Sequence, residues 1–381
     1  MKKNITLAFW SGGGVWGQSQ LINAKHIVDR TQIHLADIVD IHAAGSIGNI
    51  PALVTATKNP YQTALENFQK CATDMMGGTL RQDQLKKSVI HSLRNMEECS
   101  WYNPKRFVLK DHTNQIHLNH DILQRFLTSS LGETKLEELQ SAFVSFAHHQ
   151  ESNDRICFAH SGNSGLFDGS KWAVIPNHGA DKTLVDIAMA STAAPTVFGP
   201  HEIDGDHYID CAALCSPLAT IKNVFRMVAD PQNTKVNVLF FGTGLIQNDS
   251  WDAQAYKNHG ILQIIQDWSS SMGYGNVKQD FREIQIDYAD RVSMHMINTP
   301  IPQTHNGTEF KADAFNGTTA YLKAIEEITE QHLETSGRVY CDAIEKIAEQ
   351  QERETAIDPL VIAQQPRNLL NRFLKRAPAN A

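Results

Sequence analysis

No stretch of this 381-residue chain approaches the ~20 consecutive apolar residues that a membrane-spanning helix needs. A basic stripe is also lacking. Lys and Arg number 34 against 42 Asp and Glu, giving a formal net charge of -8 and a pI near 6.1. That balance argues against a nucleic-acid partner and gives no general attraction to anionic membranes. Cysteine is sparse and scattered: Cys71, Cys99, Cys157, Cys211, Cys215 and Cys341 form no CxxC pair and no Cys/His group at zinc spacing. Free thiols in a reducing compartment are expected. Lys2 and Lys3 precede the apolar run Ile5 to Trp10, but Ser11-Gly12-Gly13-Gly14 cuts that run too short for a signal peptide. A cytoplasmic location is the expectation, and secretion without a cleaved signal would leave the same sequence. There is no internal repeat and no low-complexity tract. The 41% hydrophobic content is enough to bury a core, as one large domain or two ordinary ones.

The most informative stretch is Ile41-His42-Ala43-Ala44-Gly45-Ser46-Ile47-Gly48-Asn49. Ala36 to Ile41 is rich in β-branched residues and predicts a strand, whereas Ile50 to Ala56 predicts a helix. Ser46 therefore falls at a strand-to-helix turn. Ala44-Gly45-Ser46-Ile47-Gly48 is a nucleophile-elbow pattern with alanine in the first glycine place, and small residues two before and two after the serine let strand and helix approach closely. Such a corner lifts the hydroxyl clear of the sheet and points helix N–H groups at any charge forming beside it. An ordinary Gly-rich loop would look similar, so other stretches must decide.

A second glycine turn follows the first strand. Ile5 to Trp10 runs into Ser11-Gly12-Gly13-Gly14-Val15-Trp16-Gly17, and Leu21, Ala24 and Val28 then recur at helical spacing. Consecutive glycines at a helix start can turn backbone N–H groups toward an anion. Two chemistries use that device. Gly12-x-Gly14-x-x-Gly17 spells a dinucleotide fingerprint, with Asp37 twenty residues beyond. The same turn could hold the oxyanion of an acyl transfer. Asp37 lies at the start of its predicted strand, where a ribose-binding acid should lie at the end, and that fingerprint leaves the serine corner without a role.

Farther along, Pro60 to about Asn103 reads as polar and helical, broken at Gly77-Gly78, and Asp121 to Leu127 as a short amphipathic helix. Ala142 to Ala147 and Arg155 to His160 predict two strands joined by a polar turn. Leu184 to Pro195 is a small-residue helix suited to packing against the elbow helix. Tyr208-Ile209-Asp210 ends a strand with an acid, and Val236 to Phe241 is a continuously apolar strand of the buried parallel kind. Strands alternating with helices predict an α/β sheet covered on both faces. Gly260 to Ser271, Thr319 to Gln351 and Pro366 to Arg376 predict helices; the last sets Leu369, Leu370, Phe373 and Leu374 against four cations, a pattern that can dock on a membrane surface or on protein.

With these stretches in order, the chain resembles the patatin-like phospholipase family. Ser11 to Gly17 looks like its oxyanion motif, Ala44 to Gly48 like its serine elbow, and Leu131-Gly132-Glu133-Thr134-Lys135-Leu136 like the segment ahead of a family strand. Ala190 to Phe198 is similar to "ATSAAPTYF", Asp210-Cys211-Ala212 stands where "DGG" or "DGA" would, and Phe241-Gly242-Thr243-Gly244 where "LGTG" would. The resemblance implies a three-layer α/β/α sandwich with a mostly parallel central sheet, plus C-terminal helices. It divides the chain into a hydrolase domain over 1-317 and a helical extension over 318-381. It also implies cleavage of lipid carboxyl esters, of phospholipase A or lysophospholipase type, by a Ser-Asp dyad without metal or cofactor. Ser46 would be the nucleophile and Asp210 its base; the amides of Gly12, Gly13 and Gly14 would hold the oxyanion, and Ala44 and Gly48 would shape the elbow. A lipid ester is the implied partner; peripheral membrane contact through the last helix is the alternative to its packing on its own domain or a partner chain, and oligomeric state is left open.

Three departures stand out. Trp16 replaces the usual cation of "GGGxRG" and suggests an apolar rim, Cys211 replaces a glycine, and Pro51 cannot donate an amide to a helix beginning at Ser46. Trp16 and Cys211, together with Ala44 in the elbow, keep a rival open, a catalytically weak or inactive relative that binds lipid or a partner. A dinucleotide-binding oxidoreductase is the lesser rival. Of the seventeen histidines, His42 and His207 are the candidates for a supporting role. His26, His91 and His332 fall on helix faces, and His148-His149 is expected in a solvated turn.

Overall fold

The computed structural model describes residues 4–77, 120–162, 177–194, 198–210, 216–228, 230–246, 277–310 and 316–357. The helices expected at Gly260–Ser271 and Pro366–Arg376, the second half of the Pro60–Asn103 stretch, His91 and Cys211 lie outside these residues. Eight strands form the main sheet: β1 (Asn4–Trp10), β2 (Ile41–Gly45), β3 (Ala142–His149), β4 (Asp154–His160), β5 (His201–Ile203), β6 (Asp206–Ile209), β7 (Lys235–Phe241) and β8 (Val292–Ile297). Their order is β5-β6-β3-β2-β1-β7-β8, with β4 also paired to β3. The central pairs β3-β2-β1-β7-β8 are parallel; β4, β5 and β6 add antiparallel partners.

Alternation along the strands builds two cores. In β1, Ala8 and Trp10 face one side with Leu21, Leu53 and Phe143, while Ile5, Leu7 and Phe9 face the other with Val144, Ile221 and Phe240. The first side is covered by α1 (Gly17–Thr31), α2 (Asn49–Ala56), α3 (Tyr61–Met76), α4 (His120–Leu131), α5 (Leu184–Thr192) and α7 (Thr319–Ile357). The second is covered by α6 (Pro217–Met227) and a helix over 277–287. The architecture is an α/β/α sandwich with a mostly parallel sheet. Fully burying each large side chain between layers contributes on the order of 1.5–3 kcal/mol. The long α7 lies along α1 and places Leu322, Ile325 and Ile344 in the first core. Among the described residues no helix is long and apolar enough to cross a membrane.

One local expectation needs correction. The strand predicted from Ala36 begins only at Ile41; Leu35–Asp37 is a 3-10 turn, in which His34 Nδ1 accepts from Ala36 N at 3.2 Å. Asp40 then closes the end of β1, accepting from Thr6 N at 2.8 Å and donating its own N–H to Thr6 O at 2.9 Å. Ile38 and Val39 are apolar because they are buried, at 5% and 4% exposure, and not because they are in a strand. Tertiary packing overrides β-propensity here. The elbow helix starts at Asn49 after a 3-10 turn over Ser46–Gly48, so Pro51 falls in its first turn, where a missing N–H removes no intrahelical bond.

Candidate active site

The register of β3 explains how the serine and the aspartate meet. One edge of β3 is occupied by β4 from Phe143 to His149. The other edge is shared. β2 runs parallel along it until Gly45 lies opposite Phe146, and β6 runs antiparallel along it until Ile209 lies opposite His148. The two strands thus approach head-on, with only Ala147 of β3 between their ends. The next residue of each is Ser46 and Asp210, and Ser46 Oγ donates a hydrogen bond to Asp210 Oδ2 at 2.5 Å.

Ser46 has the backbone of an elbow. Its φ is +51°, a left-handed conformation that typically costs a non-glycine residue about 1–2 kcal/mol. Surrounding packing holds it there. Ser191, from the small-residue face of α5, accepts from Ser46 N at 3.0 Å and from Asn49 Nδ2 at 2.7 Å, and donates to Phe146 O at 2.7 Å. Asn49 Nδ2 also donates to Ser46 O at 3.1 Å. A Cβ on Gly48 would stand 2.4 Å from the carbonyl oxygen of Trp10 and 2.7 Å from that of Ser11, so only glycine lets the elbow touch the end of β1. Ala44 is fully buried, and the methyl in place of a family glycine is absorbed by the core.

The glycine turn lies against this elbow. A Cβ on Gly17 would meet Ile47 Cγ1 at 2.9 Å, so that glycine serves helix packing. Gly13 and Gly14 both have positive φ, at +157° and +59°. The turn after β7 props it up: Thr243 Oγ1 donates to Gly12 O at 2.5 Å, and a Cβ on Gly13 would stand 2.2 Å from Thr243 Oγ1. Gln20 Nε2 bonds both Phe241 O, at 2.7 Å, and Ser11 O, at 3.0 Å, locking the ends of β7 and β1 together. Trp16 is not a rim residue. It is 2% exposed, edge-on to Phe310 and Tyr321, and its Nε1 donates to the Tyr321 hydroxyl at 3.3 Å.

Asp210 is half-buried, and its N–H donates to Ala193 O at 3.0 Å just past α5. Neither candidate histidine joins the pair. His42 is fully buried between Trp10 and Phe143, accepts from Trp10 Nε1 at 3.4 Å, and is pushed by burial from 6.5 down to about 3. His207 sits in the surface with Nδ1 2.7 Å from Glu151 Oε1. The His148-His149 pair, expected in a solvated turn, instead ends β3; partners on both edges leave His149 only 8% exposed. Asp37 lies in the turn before β2, ion-paired to Lys58 at 2.7 Å and at the wrong end of the strand for a ribose contact. Ser191, Asn49 and Thr243 were not singled out in the sequence. The only hint was the small-residue helix holding Ser191 and the Gly-Thr-Gly turn holding Thr243.

The sandwich thus brings together a left-handed serine at a strand-to-helix turn, a carboxylate bonded to it and a glycine turn alongside. The Patatin-like phospholipase family model matches residues 9–218, more than half of the sequence, and the chain belongs to that family. Among solved structures it is similar to VipD from Legionella pneumophila, at 10% identity and a TM-score of 0.34, over 87% of this chain and 67% of that one. It is also similar to human GIVD cytosolic phospholipase A2, at 10% identity and a TM-score of 0.41, over 91% of this chain and 60% of that one. The chain spans about two thirds of the first structure and 60% of the second. No curated protein matches.

Proposed function

We propose that the protein hydrolyses lipid carboxyl esters through a Ser46–Asp210 dyad and an oxyanion hole at the glycine turn. The observation that carries this reading is the 2.5 Å bond from Ser46 Oγ to Asp210 Oδ2 at a serine held at φ +51°. A hydroxyl is a poor nucleophile until a base within hydrogen-bond reach can take its proton. Asp210 takes that proton as Oγ bonds to the acyl carbon, and the carbonyl electrons move onto oxygen. Backbone amides of Gly12, Gly13 and Gly14 are the donors for that oxyanion, each such donor typically contributing about 3 kcal/mol to the transition state. Collapse of the intermediate expels the alcohol, which takes its proton from Asp210. Water then attacks the acyl-serine, Asp210 again accepting the proton, and the acid leaves with Ser46 restored. The ester is of the phospholipid or lysophospholipid class.

Labelling with a fluorophosphonate, read by intact mass, tests this directly, because only an activated serine reacts. The wild type should gain one adduct and turn over a generic ester, while Ser46→Ala should do neither. A folded wild type that neither labels nor hydrolyses any lipid ester would sink the proposal in favour of a binding protein.

A further inference from the structure

Three ligand-type side chains meet where the β3–β4 turn touches the start of β6. Donor atoms of His149, Glu151 and Asp206 all lie within 4.8 Å of one another. Carboxylates gather on protein surfaces without any ion, so the histidine carries the argument. His149 is 8% exposed, and its Nε2 has no hydrogen-bond partner among the described residues. That nitrogen points between Glu151 Oε2 at 3.2 Å and Asp206 Oδ1 at 3.4 Å, with hydrogen-bond geometry to neither. Leaving a buried ring nitrogen unbonded is unfavourable, and this one faces two negative charges.

The same separations fit another purpose. Two ligand atoms held 2.0–2.2 Å from a tetrahedral ion stand about 3.3–3.5 Å apart. His149 Nε2 keeps close to that spacing from both carboxylates. The surroundings orient the set. Nδ1 of His149 lies 2.9 Å from Ser152 Oγ and accepts from Ser152 N–H at 3.3 Å; ion binding requires the other tautomer, in which Nδ1–H donates to Ser152 Oγ and the Nε2 lone pair faces the carboxylates. Glu151 is held in place by His207, through Nδ1 at 2.7 Å and N–H at 3.0 Å.

We propose that His149, Glu151 and Asp206 form a binding site for a divalent transition-metal ion of the zinc type, with a fourth position left for water. One imidazole nitrogen and two carboxylate oxygens suit Zn²⁺ or Mn²⁺; Ca²⁺ and Mg²⁺ prefer shells built of oxygen. The site joins the β3–β4 turn to β6 four residues before Asp210, so a bound ion braces the strand that ends at that aspartate. Binding itself is independent of the dyad and can be measured without substrate.

The chain is stripped with EDTA, exchanged into chelator-free buffer, and titrated with Zn²⁺ by calorimetry and with Co²⁺ by visible absorption. The wild type should bind one equivalent at this site with a micromolar or tighter Kd, show the d–d bands of tetrahedral Co²⁺, and gain thermal stability with Zn²⁺. Asp206→Asn and Glu151→Gln should each weaken binding by about 10–100-fold or more, beyond any background from the other histidines. Both side chains are about half exposed, at 51% and 43%, so these variants keep the fold even if the buried His149→Gln does not. Absence of saturable Zn²⁺ binding by the wild type, or unchanged affinity in both carboxylate variants, overturns the proposal.

Discussion

Ser46 is presented by β2, a central strand whose five residues are all buried, whereas Asp210 follows β6, a four-residue strand near the sheet margin with one buried residue. The serine is held by its own backbone, by Ser191 and Asn49, and by a glycine contact with β1. The aspartate is placed by the register of β6 against β3 and β5, with its N–H bonded to Ala193 O. The nucleophile's position is therefore a consequence of core packing. That of its partner is a consequence of strand register. Damage on the two sides should differ in kind: on the elbow side fold and activity fail together, and on the aspartate side activity fails while the fold survives.

The sharpest break is Gly48→Ala. The atoms its Cβ meets are backbone oxygens of Trp10 and Ser11, at 2.4 and 2.7 Å, and they cannot swing aside as a flexible side chain would. The elbow and β1 must part, so we expect a loss above about 4 kcal/mol, seen as insoluble expression or a collapsed thermal midpoint. Asp210→Asn is the opposite case. It should leave the thermal midpoint nearly unchanged, abolish fluorophosphonate labelling and lower ester turnover by about 10²–10⁴-fold, the usual cost of losing a general base. Full turnover in a folded Asp210→Asn protein would remove the aspartate from the mechanism.

Ser191→Ala should fall between these. Its hydroxyl is the shared partner of Ser46 N–H, Asn49 Nδ2 and Phe146 O, all buried, and removing it takes one bond from each, a loss of about 1–3 kcal/mol, with Asn49 Nδ2 keeping its bond to Ser46 O. Denaturant midpoints should report that loss. A looser elbow should also lower kcat by about tenfold with KM unchanged, since the interaction orients the reacting group and does not bind substrate. A fall in stability with kcat intact would mean that Asn49 and the glycine contact fix the left-handed serine without Ser191.

The same contrast explains what could be read from the chain. The elbow, the glycine turn and Asp210 were visible because tight approaches demand small residues, and small residues leave a local pattern. The sharing of one β3 edge by β2 and β6 was not visible, because register is a long-range property without a local signature. His149 shows the cost: as one of two adjacent polar residues before a turn it reads as solvated, yet pairing on both edges of β3 buries it. Trp16 reads as a substrate-side departure, but Phe310 and Tyr321, about three hundred positions away, close over it. Ile38 and Val39 show the reverse error, apolar β-branched residues that answer to burial in a turn.

The smallest effects should come from the two histidines closest in sequence to Ser46 and Asp210, and they decide between a dyad and a triad. Alternation along β6 puts Tyr208 and Asp210 toward one face and His207 toward the other, where Glu151 holds it. His207→Gln should therefore keep turnover within about tenfold of wild type, less than loss of a general base usually costs. His42 shares the face of Trp10 but is sealed between Trp10 and Phe143, and its ring bonds to neither Ser46 nor Asp210. His42→Gln should likewise stay within about tenfold. Its signature should appear in stability instead. With the folded value down at about 3 and the unfolded one at 6.5, the unfolded chain takes up a proton between those limits that the folded chain refuses. Stability is then unaffected above 6.5 and falls as pH drops toward 3, so His42→Gln should flatten the acid side of a thermal-midpoint profile. A loss of turnover in either histidine variant as deep as that of Asp210→Asn, in a protein still folded, would replace the dyad with a triad.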